Sequence, residues 1–287
     1  MPITALDHIV LNVEDVERSL AFYQGCLGLA AERVEAWRRG ELSFPSLRIN
    51  AETLIDLVKT PAGGNGTTGS PNLNHFCMVT DEAELTGVSE QLGRAGVPIE
   101  QGPVIRSGAR GDAVSIYFRD PDRNLIEVRT YARRLMVRVG LDDMHARLRS
   151  AIDTLEDPAA PVHGNEQWTH KDLIAHLVSV EGMVCGLVET ALQDHNAALG
   201  LPDIDAFNAE AIAERRDRSL ALLTDEFEQQ SARSASLLER CTEADLNRTY
   251  QHPTRGQMTL ADRWMILPRH ARSHLAGLRA PMASISR

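Results

Sequence analysis

The sequence has few aromatic residues and few cysteines. Aromatic side chains make up 5% of its 287 residues, so the composition does not favour a pocket that stacks on rings. The four cysteines lie far apart, at positions 26, 77, 185 and 241. A zinc knuckle or a disulfide framework needs closely spaced cysteines, so neither is expected. The pattern is typical of buried thiols in a reducing, cytoplasmic compartment.

Basic residues are outnumbered in both halves of the chain. Residues 1–133 carry 13 basic and 18 acidic side chains, and residues 134–287 carry 17 and 22. A phosphate backbone is bound by a concentrated positive surface, so no nucleic-acid partner is expected. No run approaches the roughly 18 apolar residues of a membrane span, and the first residues lack a signal segment. We therefore expect no membrane partner.

A repeat organises the first half. The stretch 73–80 (LNHFCMVT) echoes 6–13 (LDHIVLNV), with a histidine in third place each time. The stretch 125–131 echoes 54–60, with a carboxylate in third place. Such self-similarity indicates a duplicated module.

The apolar periodicity predicts the same order of elements in both modules. The first has a strand at 6–13, a helix at 16–27 and strands at 31–37, 42–49 and 54–60. The second has a strand at 73–80, a helix at 84–92 and strands at 99–106, 113–119 and 125–131. A connection at 61–71, rich in Gly, Thr, Asn and Pro, separates them, and 120–122 is a turn.

The repeat places two histidines and two carboxylates at equivalent positions. His8 and His75 are the only histidines in residues 1–133. A carboxylate within an apolar strand is costly unless it is paired or bound to metal. We predict a metal site on His8, His75 and Glu127, with Asp56 as a fourth ligand, a catalytic base or a satisfied surface residue. This ligand set leaves coordination positions open and suits iron, manganese, zinc or nickel.

The stretches 6–11, 16–23, 27–29 and 115–127 resemble the glyoxalase, bleomycin-resistance and extradiol-dioxygenase group, the vicinal oxygen chelate superfamily. The resemblance covers residues 3–132 and implies two βαβββ modules, about 3–60 and 72–132, in a cupped mixed sheet around one divalent metal. Members isomerise, add thiols, cleave aromatic rings, epimerise or bind drugs. Arg123 departs from the pattern, because a glycine is common in that closing turn.

The second half has a helical pattern from residue 142 onward, after a bridge at 133–140. We expect helices at 142–155, from 169 toward 191, at 205–240 with a break near 224, and at 259–278 with a kink at Pro268. Thr-x-x-Asp sequences at 169, 242 and 259 are helix starts. Together they predict an all-α four-helix bundle.

Three histidines are candidate ligands in this bundle. His270 and His274 are four residues apart, so they project from one face of a helix as a metal-binding pair does. His176 lies on an earlier helix and can meet them across the bundle. The alternative for such a pair is a solvated or core-edge position.

The stretches 168–177 with Glu181, 205–210 and 270–274 resemble the DinB-like metal-binding superfamily. That group includes mycothiol-dependent maleylpyruvate isomerases, so the resemblance implies a divalent metal on His176, His270 and His274. It also implies a low-molecular-weight thiol such as mycothiol. The remaining histidines are predicted to be surface residues, namely His145, His163, His170, His195 and His252.

The sequence thus predicts an α+β protein of two domains, 1–133 and 134–287. The leading functional hypothesis is a metal-dependent enzyme with catalytic carboxylates Glu127 and Asp56. Its substrate is a small electrophilic or oxygenated molecule, and the reaction is of isomerase, lyase or thiol-transferase type. The alternatives are a resistance protein that sequesters a drug or toxin without turnover and an iron-dependent ring-cleaving dioxygenase. The modules pair within one chain or between the chains of a homodimer.

Overall fold

The computed structural model describes residues 3–27, 29–60, 73–119, 124–163, 165–194, 200, 203–252 and 255–275. The predicted connection at 61–71, the turn at 120–122, Arg123 and His195 lie outside these residues. The chain divides into two compact units, Met1–Ala132 and Arg133–Arg287.

Unit 1 consists of two successive modules of strands and helices. The first contains β1 (Ile3–Val13), α1 (Val16–Leu27), β2 (Ala30–Glu32), α2 (Val34–Arg38), β3 (Ser46–Asn50) and β4 (Thr53–Lys59). The second contains β5 (Leu73–Thr80), α3 (Glu82–Arg94), β6 (Gln101–Gly108), β7 (Gly111–Arg119) and β8 (Leu125–Thr130). Except for α2, both modules follow the predicted order of one strand, one helix and three strands.

One mixed sheet contains all eight strands, in the order β2-β3-β4-β1-β5-β8-β7-β6. Within each module the first strand is parallel to the last, β1 to β4 and β5 to β8. The modules meet where β1 and β5 pair antiparallel. They therefore join within one chain, and the predicted mixed sheet is confirmed.

The strand predicted at 31–37 is wrong in its second part. After Glu32 the backbone of Arg33 turns into the left-handed region, with φ of 63°, and Val34–Arg38 forms α2. On a helix, Val34 and Trp37 share one face, and both pack against the core formed by α1 and the sheet. A strand would have turned these two side chains to opposite faces.

Unit 2 is mainly helical. It contains α4 (Arg133–Asp153), β9 (Pro161–Val162), β10 (Asn165–Thr169), α5 (His170–Gln193), α6 (Ile204–Arg215), α7 (Leu220–Arg240), α8 (Glu243–Asn247), β11 (Thr249–His252), β12 (Gly256–Thr259), α9 (Leu260–Trp264) and α10 (Ile266–Leu275). Helices α4 and α5 each contact both α7 and α10. The four helices therefore form a closed ring, as a four-helix bundle does.

Four details of the second half differ from the prediction. Residues 133–140 are the first turns of α4, because Leu135, Met136 and Val137 are buried. The half also contains two short hairpins, β9–β10 and β11–β12. The break in 205–240 falls at 216–219, where Ser219 caps α7, and the last helix is interrupted at Met265 instead of only kinking at Pro268.

Helix α5 is long and apolar enough, by length and composition, to cross a membrane. Within its 18-residue apolar window, 67% is buried inside the structure. The expectation that no run is apolar enough for a membrane span is therefore wrong for this stretch, and its burial is that of the central helix of a bundle.

All three predicted capping boxes are present, at Thr169, Thr242 and Thr259. At α5 the Thr169 hydroxyl accepts from the Asp172 amide, and the Asp172 carboxylate accepts from the Thr169 amide. We expect Thr169→Ala to lower the free energy of unfolding of the bundle by about 1 kcal/mol, because it leaves a helix-end amide without its acceptor. Urea denaturation followed by circular dichroism measures the change.

The matched control is Thr190→Ala in the same helix. Thr190 is exposed and its hydroxyl donates only to the Gly186 carbonyl. Since alanine has the higher helix propensity, this variant should be neutral or slightly more stable. Equal losses in both variants would contradict the capping role.

Candidate metal centres

Two β-bulges shape the site of unit 1. In the β1–β5 pair, Asp7 is an extra residue of β1 that has no partner in β5. Asn74 is likewise an extra residue of β5 that has no partner in β1. A bulge adds an unpaired residue and redirects the side chains near it. Each bulged residue immediately precedes a histidine, and each bonds to the Nδ1 atom of that histidine, at 2.8 Å for Asp7 with His8 and 3.0 Å for Asn74 with His75.

These bonds determine where the ring hydrogens lie. In a neutral imidazole one nitrogen donates and the other accepts. Nδ1 of His8 donates to a carboxylate and Nδ1 of His75 to an amide oxygen, so in the neutral form of each ring Nε2 carries the lone pair. A metal-binding histidine is usually held in this way by a partner outside the coordination sphere.

The two Nε2 atoms and Oε2 of Glu127 form a nearly equilateral triangle. His8 Nε2 is 3.2 Å from His75 Nε2 and 3.3 Å from Glu127 Oε2, and His75 Nε2 is 3.2 Å from the same oxygen. Oε2 is buried and has no hydrogen-bond partner. Three lone pairs therefore converge on one point.

The triangle fits a divalent ion. An ion about 2.1 Å from each atom, at coordination angles between about 90° and 110°, separates the ligands by about 3.0 to 3.4 Å. The measured separations fall within that interval. The structure thus brings together the three predicted ligands His8, His75 and Glu127.

Arg129 balances the negative charge behind the site. Its guanidinium is fully buried and donates to Oε1 of Glu127 at 2.8 Å and to Oδ1 of Asp7 at 3.3 Å. Ser115 also donates to Glu127 Oε1, at 2.6 Å, and Tyr131 donates to Asp7. Glu127 is therefore held through one oxygen while the other faces the histidines.

The same contacts determine the protonation of the site. Burial disfavours the carboxylate of Glu127, but the His75 and His8 rings beside it and the charge of Arg129 hold its pKa well below the usual range. Burial also disfavours the imidazolium of His8, yet the bond to Asp7 and the adjacent Glu127 carboxylate raise the pKa of His8 to about 9. Without a metal, His8 therefore carries hydrogen on both ring nitrogens at neutral pH, and a bound metal ion would replace the one on Nε2. The pocket accordingly favours a positive charge at its centre.

Asp56 is not part of the triangle. It is 5% exposed and accepts a 2.5 Å hydrogen bond from Ser46. It lies opposite Val10 of β1, whose partner on the other side is His75. Two strand spacings, about 10 Å, therefore separate the backbones of Asp56 and His75. Its role as a base stays a prediction.

The site of unit 2 brings together its three predicted histidines. His176 of α5 faces His270 and His274 of α10, and the ligand atoms of all three lie within 4.8 Å of one another. His176 Nε2 is 2.8 Å from His270 Nε2. Trp168, at the end of β10, lies against the site, with its ring centre 4.9 Å from that of His176.

The three imidazoles are neutral and available as ligands. Burial first, and then the neighbouring histidines, lower the pKa of His176 to about 3 and that of His270 to about 4. Nδ1 of His176 is buried without a hydrogen-bond partner. A trio without a carboxylate provides a less negative site than that of unit 1.

Two histidines predicted at the surface are buried. His145 is 9% exposed and bonds through Nε2 to Glu181, which also accepts from Ser234. His252 is 4% exposed and lies beside Arg263. Both were assigned to the surface because neither matches a metal-ligand pattern. The lack of such a pattern does not say whether a side chain is buried, so the prediction was wrong. His163 is exposed.

Sequence reasoning assigned no role to Asp7, Asn74, Ser46, Ser115 or Arg129. The repeat could have indicated four of them. Asp7 and Asn74 each precede one of the two repeated histidines. Ser46 lies opposite Asp56 on the neighbouring strand, and Ser115 donates to Glu127 from the neighbouring strand. Arg129 had no such signal, because its counterpart in the first module is Val58.

Gly108 allows the close approach of Arg129 to the chain. A Cβ added at this position would lie 1.4 Å from Nη1 of Arg129 and 2.7 Å from Oδ1 of Asp7. Gly108→Ala must displace the guanidinium from two buried carboxylates. We expect unit 1 to lose at least about 3 kcal/mol of its free energy of unfolding, the usual cost of breaking a buried ion pair, measured by urea denaturation.

Gly87→Ala is the control for this substitution. Gly87 lies within α3, and a Cβ there meets no atom within 4 Å. Because alanine is favoured over glycine in a helix, this variant should be as stable as the natural protein or more so. A stable Gly108→Ala protein would show that Arg129 is not held as described.

Comparison with known proteins agrees with the division into two units. A sequence model of the Glyoxalase/Bleomycin resistance protein/Dioxygenase superfamily matches residues 5–128. A model of the DinB superfamily matches residues 140–277.

Similar individual proteins match the first unit. A virulence protein of Salmonella typhimurium is 39% identical over 131 residues, which are 46% of this chain and 87% of that protein. A glyoxalase domain-containing protein of Mycosarcoma maydis is 30% identical over 131 residues, 46% of this chain and 70% of that protein. The solved structure of an integron cassette protein from V. cholerae is 34% identical, covers 46% of this chain and 98% of its own, and has a TM-score of 0.20. The second unit is similar to the DinB superfamily, and through its first unit the chain belongs to the Glyoxalase/Bleomycin resistance protein/Dioxygenase superfamily.

Proposed function

We propose that the protein is a metal-dependent enzyme whose reaction takes place at His8, His75 and Glu127. Its substrate is a small oxygenated or electrophilic molecule, and the reaction is an isomerisation, an elimination or the addition of a low-molecular-weight thiol. The bundle provides a second metal-binding centre on His176, His270 and His274.

The observation that carries the proposal is the convergence of three lone pairs on one point. A buried carboxylate oxygen without a partner is costly, and here two imidazole lone pairs face it. A hydrogen on His8 Nε2 can serve only one of these contacts, whereas a divalent cation that replaces it satisfies all three ligand atoms at once. The arrangement is therefore better suited to binding a metal than to packing a core.

The burial of the three ligands gives a direction of approach. The side chains of His8 and Glu127 are 4% and 0% exposed, whereas that of His75 is 15% exposed. The ring of Tyr117 lies edge-on to His75 with the ring centres 5.8 Å apart. A substrate thus reaches the centre past His75 and Tyr117, while Asp7 and Arg129 lie behind it.

Each residue near the centre then has a distinct task. A divalent ion on this ligand set supplies Lewis acidity toward a substrate oxygen, with coordination positions left open for it. Glu127 provides the one negative ligand, and Arg129 keeps that charge partly neutralised through the other oxygen. Asp7 keeps the lone pair of His8 directed at the centre.

The trio in the bundle has different properties. Three neutral imidazoles leave the full charge of a bound cation, which favours the thiolate form of a thiol ligand. This supports a role for the bundle in holding a thiol such as mycothiol. The flat ring of Trp168 beside His176 and His274 forms one wall of that site.

Metal content tests both centres. We expect the purified protein to carry about two divalent ions per chain, since each ligand set forms only in the folded unit. His8→Ala should lose the ion of unit 1 and His270→Ala that of unit 2, each leaving the other in place. Elemental analysis after gel filtration measures both.

His163→Ala is the control, since His163 is exposed and lies outside both ligand sets. It should retain both ions. A natural protein that binds no ion at either site after reconstitution would refute the proposal.

Turnover separates an enzyme from a sequestering protein. We expect consumption of an α-oxoaldehyde premixed with a thiol, without oxygen uptake. His8→Ala should reduce the rate by more than about 100-fold, and Asp7→Asn by about 10- to 100-fold, the usual cost of losing a partner that orients a ligand.

Oxygen uptake with catechol would instead identify a ring-cleaving dioxygenase. Stoichiometric binding of these probes without turnover would contradict catalysis.

A further inference from the structure

Arg263 is a buried cation whose main hydrogen-bonding edge is empty. It lies in α9 and is 5% exposed. Its Nε and Nη2 atoms have no hydrogen-bond partner among the residues that the structure describes. Because a buried guanidinium loses its hydration, an unpaired edge is costly, and an acceptor is expected there.

Other arginines of this protein show what that edge binds. Nε and Nη2 are two parallel donors that match the two oxygens of a carboxylate. Six arginines among the described residues hold both oxygens of a glutamate in this way, at 2.5 to 3.3 Å: Arg38 with Glu17, Arg39 with Glu41, Arg48 with Glu32, Arg149 with Glu228, Arg215 with Glu226 and Arg233 with Glu189. Arg263 is more buried than any of these and has no such partner.

Two side chains of β11 lie beside Arg263. Tyr250 and His252 are two residues apart on that strand, so they share a face. The Tyr250 hydroxyl is buried with no close hydrogen-bond partner among the described residues, and its nearest polar neighbour is Arg263. His252 Nδ1 accepts from the Arg255 amide at 3.2 Å, so the ring hydrogen of a neutral His252 lies on Nε2, which faces Arg263 Nη1 at 3.4 Å.

The charges nearby also favour an anion. Burial and the positive charge of Arg255 lower the pKa of Arg263, and only the neighbouring Tyr250 acts in the opposite direction. A carboxylate in contact with the empty edge would offset both the loss of hydration and the repulsion from Arg255. No carboxylate among the described residues occupies that position.

The β11–β12 hairpin lies beside Arg263, with His252 3.4 Å from Nη1, and offers a route of entry. Strands β11 and β12 pair only with each other. A two-stranded sheet without further strands is marginally stable by itself, so it opens at lower cost than the helices around it.

We propose that Arg263 is the anchor of a binding site for the carboxylate group of a small molecule, held side-on by Nε and Nη2 beneath the β11–β12 hairpin. The Tyr250 hydroxyl provides a further hydrogen bond to the same group. The site is separate from both metal centres, and it recognises the planar, two-oxygen anionic group of its ligand.

Thermal unfolding of the metal-loaded full-length protein tests this site. Acetate and benzoate should raise the melting temperature in a manner that saturates with concentration, because they bind only the folded state. Inorganic phosphate and chloride at equal ionic strength should raise it less. Metal content should stay unchanged throughout, which separates this result from that of the metal centres.

Two substitutions at Arg263 distinguish recognition from structural support. Arg263→Met removes an unpaired buried charge, so its melting temperature without carboxylate should equal or exceed that of the natural protein, while the carboxylate-dependent rise disappears. Arg263→Lys keeps the charge but not the two-pronged edge, so the rise should shrink. The control, Arg149→Met, removes an arginine that already holds Glu228 and should retain the full rise.

Three results would overturn the site. The first is a melting temperature that acetate and benzoate raise no more than chloride does, as expected if only a buried water fills the edge. The second is an equal carboxylate-dependent rise in Arg263→Met. The third is a stronger effect of phosphate than of either carboxylate.

Discussion

A carboxylate buried in a sheet requires positive charge close to it, and unit 1 is arranged around that requirement. Glu127 and Asp7 are both inaccessible to solvent. Arg129 lies between them and binds one oxygen of each. Arg129 alone cannot fully balance two carboxylates, so a second positive charge is favoured at the side of Glu127 that faces His8 and His75. Protonated His8 provides it in the metal-free site, and a metal ion bound there would take its place.

The two candidate metal centres take their ligands from different scaffolds. In unit 1 the ligands come from strands, and bulges at Asp7 and Asn74 orient them. In unit 2 they come from helices, where the four-residue spacing of His270 and His274 places both on one face without any special backbone. The first centre has a carboxylate with a counter-charge behind it, and the second has neither. The two centres therefore differ in net charge, and this difference suits them to different ligands.

Much of this organisation could be predicted from periodicity. The repeated histidine and carboxylate strands predicted three ligands that the structure brings together, and the Thr-x-x-Asp pattern predicted three helix starts. Periodicity failed where tertiary packing determines the result. Val34 and Trp37 form a helix because both reach the core beside α1, and residues 133–140 continue a helix because their apolar side chains are buried. His145 and His252 are buried through partners, Glu181 and Arg263, that are distant in sequence or on another element, which local patterns do not reveal.

The two modules, which meet where β1 pairs with β5, contribute unequally to the site of unit 1. The first module contributes His8 to the centre, and the second contributes His75 and Glu127, so neither module alone contains the site. A symmetric pair of identical modules would offer equal ligands from both sides. Here the copies have diverged, with Asp7 against Asn74 and Val58 against Arg129. Because the charge-balancing arginine is present in only one copy, the two halves are not interchangeable, and the candidate centre between them is asymmetric.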